Sequence, residues 1–320
     1  MEIKELDQVI VNLKDSNIQQ VYIEITDKCN LFCDYCFNNS AAEKKRIISP
    51  ETVYSIVDNC SKENKRPYVY LSGGEPLLHP ELKTIVNTLI NKMNCKVKVL
   101  TNGSLISRMD FSDMDKRVNW QIGSAQIATI NLYETNKEAY SNGIHILKNI
   151  FPDSNITLAY TITRNNIKNI SSIIDEFANI NNINILLSFV QSRGRGVDTW
   201  DENSVSLSEK LKVIQKFSGK WDNVMFCGLE LDKDLEAIGK YTISKDCNSV
   251  KEYYVDNQQK VHFCNKIDEF CNCKNLTLDI QNNYSFDISD ICGEECPKYK
   301  HCLMSCMDKI KTGEKICKMK

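Results

Sequence analysis

The sequence predicts an α/β protein built on a parallel sheet and followed by a smaller cysteine-rich domain. Strand and helix patterns alternate from residue 20 to about residue 190, and such repeated units favour a parallel sheet with right-handed crossovers. The chain has 320 residues, 42% of them apolar, which suits one large and one small domain. From residue 247 onward cysteines become dense and long periodic helices vanish. We therefore expect an N-terminal capping helix at 1–19, the sheet domain at 20–225 and the cysteine-rich domain at 226–320.

Six strand–helix units make up the predicted sheet domain. Residues 21–26 alternate apolar and polar side chains, as a half-buried strand does. Ser49 and Pro50 open the first helix as N-cap and first helical residue. The predicted strands are about 20–26, 68–71, 97–101, 122–131, 156–163 and 183–190, and the predicted helices are about 50–60, 80–92, 136–149 and 167–180. Further helical patterns occur at 1–18, 206–217 and 229–239.

Composition and charge exclude several classes of protein. The formal net charge is −2, which gives no electrostatic footprint for nucleic acid or for an anionic membrane surface. The N-terminus lacks the apolar core of a signal peptide, and the longest apolar segment, 183–190, is too short to span a membrane. The 15 cysteines are too many for ordinary packing and too few for a disulfide scaffold in a chain of this length. We therefore expect a cytoplasmic protein with metal-bound thiolates and with neither nucleic acid nor a membrane as partner.

The most informative motif is a loop that directly follows the first strand. Cys29, Cys33 and Cys36 have the spacing C-x3-C-x2-C. Three thiolates can hold three irons of a cubane cluster, which normally takes four cysteines, and so leave one iron open to a substrate or a chelating cofactor. The alternative is a zinc loop or a set of buried thiols, although zinc sites usually use C-x2-C pairs.

This loop, with Tyr35 in its aromatic position, resembles the signature of the radical S-adenosylmethionine (SAM) enzymes. Further segments agree in the same order, namely Ser72–Pro76 (Ser-Gly-Gly-Glu-Pro), Leu100–Gly103 (Leu-Thr-Asn-Gly) and Arg193–Gly196 (Arg-Gly-Arg-Gly). The resemblance implies a partial (β/α)6 TIM-like barrel with ligands at the carboxyl ends of its strands, where each motif falls. It also implies a 4Fe–4S cluster whose open iron chelates SAM, and an external low-potential electron donor. One electron then splits SAM and gives a 5′-deoxyadenosyl radical that abstracts a hydrogen atom.

The resemblance further implies a set of SAM contacts. Gly73 and Gly74 permit close backbone approach, and Glu75 is an acceptor suited to the SAM ammonium group. The other implied contacts are Tyr35, Phe37 (stacking on adenine), Thr101 and Asn102 after strand three, Thr129 and Asn131 after strand four, and Arg193 and Arg195 after strand six. The arginines could meet a carboxylate of SAM or of the substrate. The alternatives are a plain turn at residues 101–103, a solvated glycine-rich loop at 193–196 and simple packing of Phe37.

A second cysteine array near the C-terminus resembles the SPASM extension of this family. Its members are Cys247, Cys264, Cys292, Cys296, Cys302, Cys306 and Cys317. The array departs from the SPASM pattern in two ways. Gln259 occupies the position of a glycine, and three residues instead of two separate Cys292 from Cys296. By resemblance, one auxiliary 4Fe–4S cluster takes Cys292, Cys296, Cys302 and Cys317, and a second takes Cys247, Cys264 and Cys306 with Cys227, Cys271, Cys273 or a substrate thiol as fourth ligand. A zinc knuckle on the same thiols is the alternative, and Cys60 and Cys95 are expected to be core thiols.

SPASM-type enzymes mostly modify ribosomally made peptides, so the resemblance implies a peptide or small-protein substrate. We expect an oxidative modification that forms a thioether or a carbon–carbon cross-link, with auxiliary clusters as electron acceptors. The short stretch before strand one leads us to expect no separate leader-binding module.

Three alternatives stand beside this expectation. One is formylglycine formation of the sulfatase-maturase type, which Asn265 disfavours because maturases place an aspartate there, although Asp268 and Glu269 lie near in sequence. The others are small-molecule radical SAM chemistry and a non-catalytic iron–sulfur or zinc protein. The Gly-Gly-Glu-Pro segment argues against the last, since a redox carrier needs no site for an ammonium group.

Overall fold

The computed structural model describes residues 20–61, 66–123, 132–192, 194–217, 221–227, 252–255, 261–262 and 277–278. These residues fall into two compact units. The larger unit covers Glu24–Pro50 and the described part of Val69–Gly228, and the smaller contains residues 20–23, the described part of Glu51–Tyr68 and the short strands beyond residue 229. The predicted helices at 1–18 and 229–239 lie outside the described residues, and the predicted domain boundaries stay a prediction.

The described elements alternate between strands and helices, as the sequence predicts. In chain order they are β1 (Gln20–Thr26), α1 (Pro50–Asn59), β2 (Tyr68–Gly73), α2 (Leu82–Asn91), β3 (Lys96–Thr101), β4 (Asn119–Gly123), α3 (Leu132–Ile150), β5 (Ile156–Ile162), α4 (Ile170–Phe177), β6 (Ile183–Phe189), α5 (Arg195–Asp198), α6 (Trp200–Asn203), α7 (Leu207–Phe217), β7 (Val224–Cys227), β8 (Glu252–Val255), β9 (Val261–His262) and β10 (Thr277–Leu278). Single 3₁₀ turns occur at Pro76–Leu78, Ile106–Arg108 and Ile167–Asn169.

The larger unit contains a sheet in which consecutive strands are neighbours, from the end of β1 through β2, β3, β4, β5 and β6 to β7. The pairs from β3 to β7 are all parallel, which confirms the predicted parallel sheet and is consistent with a partial (β/α) barrel. In the smaller unit, the start of β1 pairs in parallel with β8, and β8, β9 and β10 pair antiparallel. Because parallel strands share one direction, the loops that follow β2 to β6 leave the sheet at one edge.

Burial alternates along the strands and fixes which face carries the core. In β6 every second residue is buried, from Ile183 to Phe189, and β3 and β4 show the same period. Helices α2 and α4 each bury an apolar face, with Leu82, Ile85, Val86, Leu89 and Ile90 in α2 and Ile170, Ile173, Ile174 and Phe177 in α4. Phe111, Trp120 and Phe151 form an aromatic cluster with ring centroids 5.3 to 5.7 Å apart. This core anchors the strands whose ends carry the candidate site.

Three predicted elements differ from those in the structure. Strand β4 begins at Asn119 rather than near 122, because Trp120 and Ile122 are both fully buried and alternate with polar neighbours. Helix α3 begins at Leu132, four residues earlier than predicted, and the helix predicted at 167–180 divides into a 3₁₀ turn and α4. Within the described residues, we find no helix with both the length and the hydropathy that crossing a bilayer requires.

Candidate functional site

The cysteine loop leaves β1 and folds back against it. Two isolated bridges, Thr26 with Ile47 and Lys28 with Ala41, close the loop near its ends. The amide of Cys29 donates to the carbonyl of Ala41 at 3.0 Å, and within the loop the amide of Cys36 donates to the carbonyl of Cys33 at 3.1 Å. The three predicted ligands therefore lie on one closed loop at the end of a buried strand.

The three thiols of this loop differ in exposure. Cys29 is buried at 8% exposure, whereas Cys33 and Cys36 are half-buried, and none of the three forms a disulfide. Burial raises the pKa of Cys29, and hydrogen bonds to its Sγ from the amide of Leu31 at 3.4 Å and from Asn102 Nδ2 at 3.7 Å act in the opposite direction. Because the thiolate is the form that binds metal, these two donors favour the ligand state of Cys29.

Among the described residues, no three His, Cys, Asp or Glu side chains lie close enough together to hold a single metal ion. A four-iron cluster keeps its cysteine sulfurs further apart than a single ion does. The assignment of Cys29, Cys33 and Cys36 as ligands of three irons in a four-iron cluster therefore stays a prediction.

The end of β2 lies directly against the start of the cysteine loop. The amide of Gly74 donates to the carbonyl of Thr26 at 2.7 Å, and the amide of Glu75 donates to the carbonyl of Lys28 at 2.8 Å. Gly73 has a φ of +131°, and a Cβ atom there would lie 2.1 Å from the Thr26 carbonyl oxygen. A Cβ atom on Gly74 would lie 2.2 Å from the carbonyl oxygen of Lys28. Only glycines allow this approach, so the Gly-Gly pair fixes the loop against β2.

Glu75 is fully buried and holds the ends of β2 and β3 together. Its Oε1 accepts from the amide of Leu77 at 2.9 Å and from Thr101 Oγ1 at 2.8 Å, and its Oε2 accepts from the amide of Asn102 at 2.7 Å. Burial raises the pKa of Glu75 to about 7, although the three donors act in the opposite direction. A carboxylate offers about four acceptor positions, of which these bonds use three. The predicted contact with the SAM ammonium group stays a prediction.

Asn102 connects the end of β3 to the first cysteine. Its Nδ2 donates to Asn30 Oδ1 at 3.0 Å as well as to the Cys29 thiol, and its Oδ1 accepts from the amide of Ser104 at 3.0 Å. Asn30 in turn donates to Ser104 Oγ at 2.8 Å. The structure thus brings together Cys29, Glu75 and Asn102, which are far apart in the sequence.

Sequence reasoning missed three polar residues at this site. They are Asn30 and Ser104 in the network around Asn102, and Asn38, whose Nδ2 donates to the carbonyl of Gly73 at 3.1 Å. The Asn102–Ser104 turn had a signal, because an asparagine side chain often accepts from the amide two residues on. For Asn30 and Asn38, the sequence offered no signal beyond their position in the cysteine loop.

The structure describes only some of the other predicted SAM contacts and cluster ligands. Tyr35 and Phe37 lie on the cysteine loop, and Phe37 is 41% exposed. Arg195 donates to backbone carbonyls of the same loop, from Nε to Cys33 at 2.8 Å and from Nη2 to Ser40 at 2.9 Å. Cys227 ends β7. Residues outside the described ranges are Thr129, Asn131, Arg193, Cys247, Cys264, Cys271, Cys273, Cys292, Cys296, Cys302, Cys306 and Cys317, so both auxiliary ligand sets stay predictions.

The parallel sheet and the cysteine loop at its edge define the class of domain. Residues 23–172, just under half of the chain, match the family described as the Radical SAM superfamily, which supports a radical SAM domain in this part of the chain. This superfamily is enzymatic, and its domain implies SAM and a 4Fe–4S cluster as cofactors. Cys29, Cys33 and Cys36, none of which forms a disulfide, fit such a cluster chemically, because thiolates are the ligands that iron–sulfur clusters take.

Two named relatives show how far the sequence similarity extends. The chain is 24% identical over 294 residues to a probable GTP 3′,8-cyclase of Methanosarcina acetivorans. The aligned part covers 87% of this chain and 80% of that protein. It is 29% identical over 91 residues to the tungsten-containing aldehyde ferredoxin oxidoreductase cofactor-modifying protein of Pyrococcus furiosus, over 28% of this chain and 25% of that protein. In three of the matches, among them that to the Pyrococcus furiosus protein, the aligned part spans only about a quarter to a third of the relative.

Solved structures show the same fold. SuiB of Streptococcus suis bound to S-adenosylmethionine matches with a TM-score of 0.59 and 14% identity, over 94% of this chain and 76% of that chain. SuiB bound to its precursor peptide SuiA matches with the same score and identity, over 82% of this chain and 63% of that chain. The anSMEcpe protein with bound AdoMet matches with a TM-score of 0.54 and 14% identity, over 92% and 95%. At this level of identity the likeness concerns the fold alone.

Proposed function

We propose that this chain is a radical SAM enzyme that oxidatively modifies a residue of a peptide or small protein, closing a thioether or a carbon–carbon cross-link. The observation that carries this proposal is the network that joins the Cys29 thiol to Glu75 through Asn102. It joins the predicted cluster loop to the Gly-Gly-Glu-Pro segment, where the family binds SAM. The fold likeness to SuiB, which was solved with a precursor peptide, supports a peptide as substrate.

Each part of the site has a role in this proposal. Cys29, Cys33 and Cys36 hold the cluster, and the ends of β2 and β3 bind SAM through Gly73, Gly74, Glu75, Thr101 and Asn102. When bound, the cluster and SAM would supply the radical chemistry that removes a hydrogen atom from the substrate. Asn102 orients the Cys29 thiol by its hydrogen bond, and Glu75 keeps the two strand ends at a fixed separation. We also propose SAM contacts from Tyr35, Phe37, Thr129, Asn131 and Arg193. The guanidinium of Arg195 contacts backbone carbonyls of the cysteine loop, so we do not count it among the SAM contacts.

The auxiliary cysteines complete the proposed electron path. Cross-linking removes two hydrogen atoms from the substrate, and the second electron needs an acceptor after the radical has formed. Clusters on Cys292, Cys296, Cys302 and Cys317 and on Cys247, Cys264 and Cys306 would accept it. A low-potential donor in the cytoplasm would supply the first electron.

The test uses anaerobically reconstituted, reduced protein with SAM and with short peptides encoded beside its gene. We expect 5′-deoxyadenosine and a peptide lighter by two hydrogen atoms, with neither product from the Cys29→Ala variant. Wild-type protein that carries its clusters but forms no 5′-deoxyadenosine with any peptide would contradict the proposal. A hydroxyl or thiol converted to an aldehyde would instead indicate formylglycine chemistry.

A second candidate is a nucleotide substrate. The similarity to a probable GTP 3′,8-cyclase extends over 87% of the chain, further than any short motif would. Incubation with SAM and GTP separates the two candidates. Consumption of GTP together with formation of 5′-deoxyadenosine would favour the nucleotide, and GTP recovered intact would favour the peptide.

A further inference from the structure

The segment after β6 contacts the backbone of the cysteine loop at several points. The Arg195 amide donates to the carbonyl of Cys36 at 3.0 Å, its Nε to the carbonyl of Cys33 at 2.8 Å and its Nη2 to the carbonyl of Ser40 at 2.9 Å. The guanidinium also lies over the ring of Phe32, with Cζ 3.8 Å from the ring centroid. One residue thus holds the backbone of two predicted cluster ligands.

The neighbours of Arg195 reinforce this contact. Thr199 Oγ1 donates to the carbonyl of Asp34 at 2.9 Å, between the two ligands held by Arg195. Gly194 has a φ of +54°, and a Cβ atom there would lie 2.4 Å from the carbonyl oxygen of Cys36 and 2.5 Å from that of Phe37. The absence of a side chain at Gly194 is what lets the two backbones meet.

We propose that Gly194, Arg195 and Thr199 form a brace that positions the cysteine loop for its cluster, with Arg195 as the main positioning residue. This inference rests on the proposed function, because it assumes that the cluster binds to this loop. The planar guanidinium fixes two carbonyls at once, which a point charge such as an ammonium group does not do. A loop held in shape before the cluster binds loses less conformational entropy when it binds.

The brace also places a permanent positive charge beside the cluster loop. The cationic guanidinium of Arg195 lies against the carbonyl of Cys33 and the ring of Phe32. Net charge and hydrogen bonding around a cluster help to set its reduction potential. Removal of this cation should therefore lower the potential of the bound cluster.

The test compares Arg195→Met and Arg195→Lys with a matched control, Arg164→Met. Arg164 also donates to a backbone carbonyl, that of Asp201 at 2.9 Å, but it has no hydrogen bond to the cysteine loop among those described here. The readouts are iron and sulfide per chain after reconstitution, the rate of iron loss to a chelator and the reduction potential. We expect the methionine variant at Arg195 to release the loop's iron at least about tenfold faster, since it loses two charge-assisted bonds. The cluster of this variant should also have a lower reduction potential than that of the wild type.

The other variants make the outcome specific. Arg195→Lys keeps the charge but not the fork, so we expect it to retain the wild-type potential and to release iron at an intermediate rate. Arg164→Met should match the wild type in its reduction potential and in its rate of iron release. If Arg195→Met does not fold, Thr199→Val removes the hydroxyl that donates to the carbonyl of Asp34 at 2.9 Å and to that of Arg195 at 3.3 Å. This variant should release iron about 2- to 10-fold faster, the effect of losing one donor.

Some results would overturn the brace and leave the proposed function standing. Wild-type iron content, release rate and potential in Arg195→Met would do so, and wild-type iron release in Thr199→Val would do so too. Weaker SAM binding with unchanged iron would assign the guanidinium to the SAM carboxylate instead. If Cys29→Ala contains as much iron as the wild type, the loop holds no cluster and the proposed function itself fails.

Discussion

Glu75 lies in an environment that is unusual for a carboxylate side chain. It is fully buried, and burial raises its pKa from an ordinary 4.5 to about 7. Between these values the folded protein keeps a proton that the unfolded chain has released. The contribution of Glu75 to stability is therefore complete below about pH 4.5 and is lost as the pH rises through 7.

This shift predicts a pH dependence that a single variant isolates. We expect the free energy of unfolding of cluster-free, SAM-free protein to fall by about 3 kcal/mol between pH 4.5 and pH 8 through Glu75 alone. The measurement is urea unfolding of the wild type and Glu75→Gln across this range. Glutamine does not titrate, so the difference between the two proteins should change by that amount. Parallel curves would mean that the three donors keep Glu75 ionised in the folded state.

Arg195 shows where reasoning from the sequence ends at the residue scale. Its motif, Arg-Gly-Arg-Gly, predicts an anion contact, and the sequence contains no sign that its partners are backbone carbonyls. Those partners lie 155 to 162 residues earlier in the chain. Only the fold brings them together, whereas the cysteine spacing and the Gly-Gly-Glu-Pro segment are local and readable.

At the scale of elements, the site depends on how the end of β3 meets the end of β2. Thr101 Oγ1 donates to Glu75 and accepts from the amide of Gly103 at 3.1 Å, and Thr101 is only 3% exposed. The hydroxyl therefore satisfies a buried amide and a buried carboxylate at once. A valine of nearly the same shape would leave both without this partner.

We expect Thr101→Val to lower the free energy of unfolding by about 2–3 kcal/mol, because a buried N–H loses its acceptor and Glu75 loses a donor. Thr101→Ser is the matched control, since it keeps the hydroxyl and loses one methyl group, at a cost of about 1 kcal/mol. Chemical unfolding of the cluster-free protein measures both variants. A valine variant as stable as the serine variant would show that the hydroxyl does not hold the strand ends together.

The elements themselves were predictable to different degrees. The bounds of β1 were predicted correctly because apolar and polar residues alternate through Gln20–Thr26. The start of β4 was misplaced, because the burial of Trp120 is a tertiary effect that the local sequence pattern does not show. The division of the helix at 167–180 also follows from packing, since Ile170, Ile173 and Ile174 face the core and the 3₁₀ turn before them has no buried residue.

At the scale of the whole molecule, the number of clusters decides between a simple radical SAM enzyme and one with auxiliary electron acceptors. Each cubane contributes four irons, so we expect about twelve irons per chain if both auxiliary clusters form beside the first. Replacing Cys292, Cys296, Cys302 and Cys317 by alanine should remove about four. Iron and sulfide analysis of anaerobically purified protein measures both. About four irons in the wild type would contradict the proposed auxiliary clusters and leave the first cluster in place.

The central claim is that the loop of Cys29, Cys33 and Cys36 holds a cluster with one iron that SAM chelates. The most direct measurement is electron–nuclear double resonance of the reduced protein with SAM labelled by ¹⁵N in its amino group and ¹⁷O in its carboxylate. We predict magnetic coupling of both nuclei to the cluster in the wild type and none in Cys29→Ala. A reduced cluster on this loop that shows no coupling to either label would contradict the account.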